Sequence, residues 1–135
     1  MVKMQTTYSG GLHCELIHES SSSQIETDAP KDNLGKGERF SPTDLVGAAL
    51  SSCILTTMAI VAERDGISLI GAKAEVVKEM ITTPSRRIGS LNVRVQMPST
   101  VPEADREKLE RAAHACPVKK SIHPDIHADI SFQYA

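Results

Sequence analysis

The sequence predicts an α+β fold built around one long, enclosed helix, and three observations carry that expectation. No charged residue lies between Asp44 and Glu63. Segments 87–97 and 125–134 alternate apolar and polar residues with the period of two that marks a half-buried strand. The chain opens with two short β-type segments around Ser9-Gly10-Gly11, whose glycines supply the positive φ of a tight hairpin.

The elements follow in order. N-terminal strands are expected within residues 2–28, with the serine run at 20–23 as a loop and a third strand near Gln24 to Thr27. Residues 29–37 are too rich in turn formers to be regular. A central helix is expected over 41–65: Ser41 caps it, Pro42 suits its first turn, Asp44 completes an acidic capping box, and Asp65-Gly66 stops it. Strands 72–81 and 87–97 then form an antiparallel pair across a loop at 82–86. Thr100 and Glu103 read as a capping box for a second helix over 101–116, with Leu109, Ala112, Ala113 and Cys116 on its apolar face. A strand over 125–134 closes the chain, and 135 residues suit a single domain spanning 1–135.

Composition narrows the partners. The formal charge is -2 at pH 7, with both signs interspersed, and aromatic residues make up only 3%, so neither a field for polyphosphate nor a stacking platform exists. Nucleic acid is not expected as a partner on those grounds. A helix apolar nearly all round either spans a membrane or is enclosed by protein. This one is near the short limit of roughly 17–25 residues, carries Ser51, Ser52, Thr56 and Thr57, and lacks basic and aromatic anchors, so no membrane partner is expected. A sheet covers only one side of it, which predicts that a second copy completes the enclosure as a two-fold homodimer. Cys14, Cys53 and Cys116 are odd in number and widely spaced, and the N-terminus lacks an apolar signal core. A cytoplasmic chain with free thiols is expected.

Taken alone, Cys53 and Cys116 each read as small buried hydrophobes. Cys116 has the more particular setting, because Pro117 can open a short helix that leaves Cys116 at its N-cap with Lys119 and Lys120 near, an environment that favours a thiolate. His114, His123 and His127 with Cys116, or His13 and His18 with Cys14, are zinc-ligand types. Neither set has paired ligand spacing, and no metal is expected.

Gly37-Glu38-Arg39-Phe40-Ser41-Pro42-Thr43-Asp44-Leu45-Val46-Gly47-Ala48-Ala49-Leu50-Ser51-Ser52-Cys53, followed by Ala115-Cys116-Pro117-Val118, resembles the OsmC/Ohr family of osmotically inducible and organic hydroperoxide resistance proteins. The resemblance implies an intertwined homodimer in which antiparallel sheets wrap around long central Cys-bearing helices. It also implies a thiol peroxidase without a bound cofactor, in which Cys53 attacks the O–O bond of an organic hydroperoxide, Cys116 resolves the product, and a lipoyl-type dithiol restores both. The chain departs from the family pattern at two points. Thr43 stands where a Glu is expected after the helix-opening Pro, and no Arg precedes Arg39. At about 100° per residue Thr43 lies roughly 80° around the helix from Cys53 and Asp44 roughly opposite it.

Because burial raises a thiol pKa, a positive charge is expected near Cys53, from Arg39 oriented by Glu38 or from Arg86-Arg87 where its loop reaches across the dimer. Leu50, Leu55, Thr57 and Met58 are expected to form an apolar pocket beside it. A second reading is a non-catalytic binding protein for a small apolar or electrophilic ligand. A cation within about 4–6 Å of the sulfur favours the first reading and a dry apolar shell the second.

Overall fold

The computed structural model describes all 135 residues, which form an α+β fold with two three-stranded sheets and three α-helices. The chain divides into two compact units, residues 1–46 and 47–135.

In the first unit β1 (Met4–Gly10), β2 (His13–His18) and β3 (Gln24–Asp28) make an antiparallel meander. Its register puts Met4, Thr6, Tyr8, Cys14, Leu16, Ile25 and Thr27 on one face and His13, Glu15, Glu26 and Asp28 on the other. The polar face is tied together. Asp28, only 4% exposed, accepts from His13 Nδ1 at 2.6 Å and from the Glu38 N–H at 3.1 Å. That unit ends with the start of α1 (Pro42–Arg64), where the capping box forms in both directions. The Ser41 N–H donates to Asp44 Oδ2 at 2.9 Å and the Asp44 N–H donates to Ser41 Oγ at 3.1 Å.

The second unit holds the rest of α1, β4 (Lys73–Ile81), β5 (Arg87–Met97), α2 (Arg106–His114), α3 (Pro117–Ser121) and β6 (Ile130–Tyr134). The central helix ends in a Schellman motif: the Ile67 N–H reaches Ala62 O, the Gly66 N–H reaches Glu63 O, and Gly66 takes φ 69°. Gly47, Leu50, Ile54, Met58 and Ala62 form a buried stripe on one side of α1. At its N-terminal end Gly47 leaves the backbone close to Leu91 and Val76, which a Cβ would meet at 3.4 and 3.5 Å. Leu91, Val93, Val95 and Met97 of β5, with Leu109 and Ala113 of α2, complete the core. By length and composition α1 is the one helix able to cross a membrane, yet Leu50, Ile54 and Met58 are fully buried by protein.

Three expectations are corrected. β6 begins at Ile130, not near 125, and runs parallel to β5, so the second sheet is mixed and not wholly antiparallel. The preceding segment touches β5 only through the Ser90–His127 bridge. The second helix starts at Arg106 after a 3-10 turn over Glu103–Asp105: Pro102 is extended at ψ 144°, and Thr100 Oγ1 donates to Ser68 O at 2.6 Å instead of capping.

Candidate functional site

Cys53 lies in the middle of α1 and Cys116 at the junction of α2 and α3, far apart in sequence and brought by the fold close enough for each thiol to shift the other's pKa. Pro117 at the first turn of α3 cannot donate an N–H, so the chain turns there and Cys116 becomes the N-cap, accepting from the Lys119 N–H at 3.3 Å. The junction is held from behind. Tyr134 donates to Glu110 Oε2 at 2.9 Å, burial together with that bond raises the Tyr134 pKa to about 12, and the Arg106 guanidinium stacks 4.1 Å over the Tyr134 ring. Lys108 joins α2 to the end of α1 by pairing with Asp65.

The two thiols are shifted in opposite directions. Burial alone pushes Cys53 up, but the Val118 N–H, the Thr57 hydroxyl and the Cys116 thiol all face its sulfur, and together they hold it below the ordinary value of 9.0. Thr57 Oγ1 is 3.8 Å from Cys53 Sγ. Cys116 is fully buried, and desolvation pushes it above 9.0 despite the Lys119 N–H, with the neighbouring Cys53 sulfur raising it further. The expectation that Lys119 and Lys120 favour a Cys116 thiolate is therefore reversed. Lys119 meets the sulfur through its backbone, and desolvation outweighs that contact.

The remaining candidates fall in different places. Arg39 Nε donates to Glu26 Oε2 at 3.2 Å, and its Nη1 donates to the Glu38 carbonyl at 3.0 Å, so Glu38 touches it through the backbone. Thr43 Oγ1 is 3.2 Å from Ser41 Oγ at the start of α1. Arg87 Nη1 donates to the Ile88 carbonyl. Within one chain the groups that lower Cys53 are uncharged hydrogen-bond partners, so its surroundings are not a dry apolar shell.

The expected pocket also separates. Leu50 and Met58 are core residues with no exposure, while Thr57 is a hydrogen-bond partner of the thiol. Leu55 lies about 160° around α1 from Cys53, where with Ala59, Ile67, Leu69 and Ile70 it lines an open groove of about 520 Å³. Periodicity could not assign these sides, since α1 is apolar nearly all round. The sequence reading missed Val118, whose contribution is a backbone N–H and leaves no trace in residue type.

Ligating atoms of His13, Glu15 and Glu26 lie within 4.8 Å of one another on the polar face of the first sheet. Asp28 engages His13 Nδ1 and Arg39 engages Glu26, so this cluster is an ion-paired network. Neither cysteine is part of it.

Residues 35–131 match the family profile described as OsmC-like protein. No curated protein matches the chain. Among solved structures, it is similar to a candidate osmotic stress induced and detoxification response protein of Psychrobacter arcticus 273-4, with 40% identity, TM-score 0.92, and coverage of 98% of this chain and 96% of that one. An organic hydroperoxide resistance protein OsmC of Legionella pneumophila shares the fold at TM-score 0.79 and 18% identity, covering 98% of this chain and 96% of that one. The organic hydroperoxide resistance protein OhrB of Bacillus subtilis does so at TM-score 0.68 and 16% identity, with 98% of each chain covered.

Proposed function

Because the chain belongs to the OsmC-like protein family, we propose that it is a thiol peroxidase that reduces organic hydroperoxides to alcohols, with Cys53 as nucleophile and Cys116 as resolving thiol. The observation that carries this reading is the proximity of the two thiols, close enough to shift each other, with Cys53 shifted down and Cys116 up. A thiolate is the attacking species, and the opposite shifts make Cys53 the more acidic thiol of the pair.

The Cys53 thiolate attacks one oxygen of the O–O bond, which breaks to leave Cys53 as a sulfenic acid and an alkoxide that takes up a proton to become the alcohol. Cys116 then attacks the Cys53 sulfur. A disulfide forms, and the hydroxyl leaves as water with the proton lost from Cys116. Cys53 has been oxidised by two electrons and the peroxide reduced by two, and an external dithiol returns them by exchange. By family resemblance that dithiol is of lipoyl type, no bound cofactor is needed, and the setting is the cytoplasm.

The reading includes a homodimer. Within one chain α1 leaves Ala49, Ser52, Thr56 and Ile60 exposed, Ile60 by 50%, and the first sheet leaves Met4 72%, Tyr8 63% and Ile25 49% exposed on one face. Apolar surface of this extent suits a second copy, with the sheets intertwined around paired helices.

The test mixes reduced protein with cumene hydroperoxide and, separately, hydrogen peroxide. Loss of two thiols per chain, with a Cys53–Cys116 disulfide found by peptide mapping and faster reaction with the organic substrate, is the expected result. A folded dimer that keeps all its thiols with both oxidants overturns the proposal, and turnover that survives Cys53→Ser overturns the residue assignment.

A further inference from the structure

Three donors face the Cys53 sulfur, and they differ in what holds them. The Val118 N–H and the Cys116 thiol belong to the α2–α3 junction, on a different element from Cys53. Thr57 sits on Cys53's own helix, four residues on and therefore about 40° around it. Helical side chains tilt toward the N-terminus, so the Thr57 side chain lies back over the turn that carries Cys53. Branching at Cβ restricts its rotamers, and the hydroxyl sits 3.8 Å from Cys53 Sγ, at the outer range of a sulfur contact. Helix geometry sets this placement, independently of where the Cys116 segment goes.

We propose that Thr57 is a catalytic residue of the site, its hydroxyl donating to the Cys53 thiolate and helping to hold the nucleophile as an anion. The proposal deepens the peroxidase reading and rests on Cys53 being its nucleophile. Cys116 is the titratable neighbour, and it stays protonated in the range where Cys53 ionises because its pKa is shifted the other way.

The test is the pH dependence of Cys53 alkylation by iodoacetamide in the full reduced chain carrying Cys14→Ser, read at Cys53 by mass spectrometry. Thr57→Val is nearly isosteric and removes only the donor. It is expected to raise the apparent pKa by about one unit, seen as roughly tenfold slower alkylation at neutral pH. Thr57→Ser keeps the hydroxyl and is expected to stay within about twofold of the parent. A Thr57→Val profile matching the parent overturns the proposal, as does a Thr57→Ser shift equal to that of Thr57→Val, which would make the effect one of packing. If Thr57→Val does not fold, Thr57→Ala is judged by the same criteria. Iodoacetamide needs no peroxide, so the two readings fail separately. A shifted profile in a chain that hydroperoxides do not oxidise retains Thr57 and removes the peroxidase. An unshifted profile in a chain that turns over does the reverse.

Discussion

Oxidising Cys53 and Cys116 to a disulfide should raise the stability of the fold by about 3 kcal/mol. The bond closes a loop of about 63 residues, and restricting the unfolded chain to that extent stabilises the folded state by about 4 kcal/mol in the chain-entropy account. Against this, Cys116 Sγ accepts the Lys119 N–H as the cap of α3, and a disulfide sulfur is a poorer acceptor. Losing a cap costs about 1 kcal/mol. With a urea m-value of about 2 kcal/mol/M, the difference moves the unfolding midpoint upward by about 1.5 M. The same free energy appears in the redox equilibrium, where it makes the folded chain's disulfide harder to reduce than the unfolded chain's by about 60 mV. The measurement is urea unfolding followed by circular dichroism at one protein concentration, oxidised against reduced, in a Cys14→Ser background that prevents disulfide shuffling. An oxidised form that unfolds at the same urea concentration as the reduced form, or a lower one, would refute the reasoning. It would mean that the sulfurs can join only by distorting the fold, and that thiol contact in the reduced state does not signify readiness to bond.

Other substitutions test the frame that positions the site. Ile54→Ala removes a fully buried side chain from the α1 stripe and should cost about 2–5 kcal/mol in urea unfolding, with the Cys53 alkylation profile retained. Ser41→Ala removes one half of the capping box and leaves the Asp44 N–H without its acceptor, which should cost about 0.5–2 kcal/mol in the same assay. Asp28→Asn should bring the His13 pKa back down toward 6.5 in an NMR titration of the ring, because the hydrogen bond to Asp28 is the largest cause of its rise. The pH dependence of that network follows from the two directions of shift. The raised His13 contributes stability below 6.5 that is lost as pH rises through its folded pKa, and the lowered Asp28 contributes stability above 3.8 that is lost as pH falls through its own. An unchanged His13 titration in Asp28→Asn would remove the basis of both statements.

Local signals were the legible part of this fold. The capping box at Ser41 and Asp44 depends on two side chains three residues apart, and the stop at Asp65-Gly66 on one glycine able to take positive φ, so both could be read without tertiary context. Thr100 and Glu103 show the limit of the same signal. An equally good capping pattern was diverted because Ser68, distant in sequence, offered Thr100 a carbonyl. The direction of β6 was hidden for a related reason. Alternation at Ile130, Phe132 and Tyr134 identifies a strand and its inner face, while parallel or antiparallel pairing is decided by the path of the α2–α3 segment before it. At the site, residue type pointed to Cys53 and Cys116 through family resemblance, but the Val118 N–H carries no side-chain signature at all.

The central helix shows why its sides were the hardest thing to read and why they matter most. Taking Cys53 as the origin, Leu50, Ile54, Met58 and Ala62 fall between about 60° and 180° and are buried against the core. Thr57, at about 40°, shares the cysteine's edge and its hydrogen bond. Ser52, Thr56 and Ile60 fall at about 260°, 300° and 340° and are exposed, and Leu55 and Ala59 on the far flank line the groove. Apolar and small residues occur on every one of these sides, so no periodic pattern in the sequence separates core from site. The fold separates them by what it brings alongside: β5 to one face, the Cys116 segment to the edge, and the 66–72 segment to the flank. On α1 it is at this edge that hydrogen-bond donors meet a sulfur. The same cysteine placed one position later would enter the stripe now held by Ile54, Thr57 would lie about 60° from it on the opposite side, and packing would take the place of reactivity.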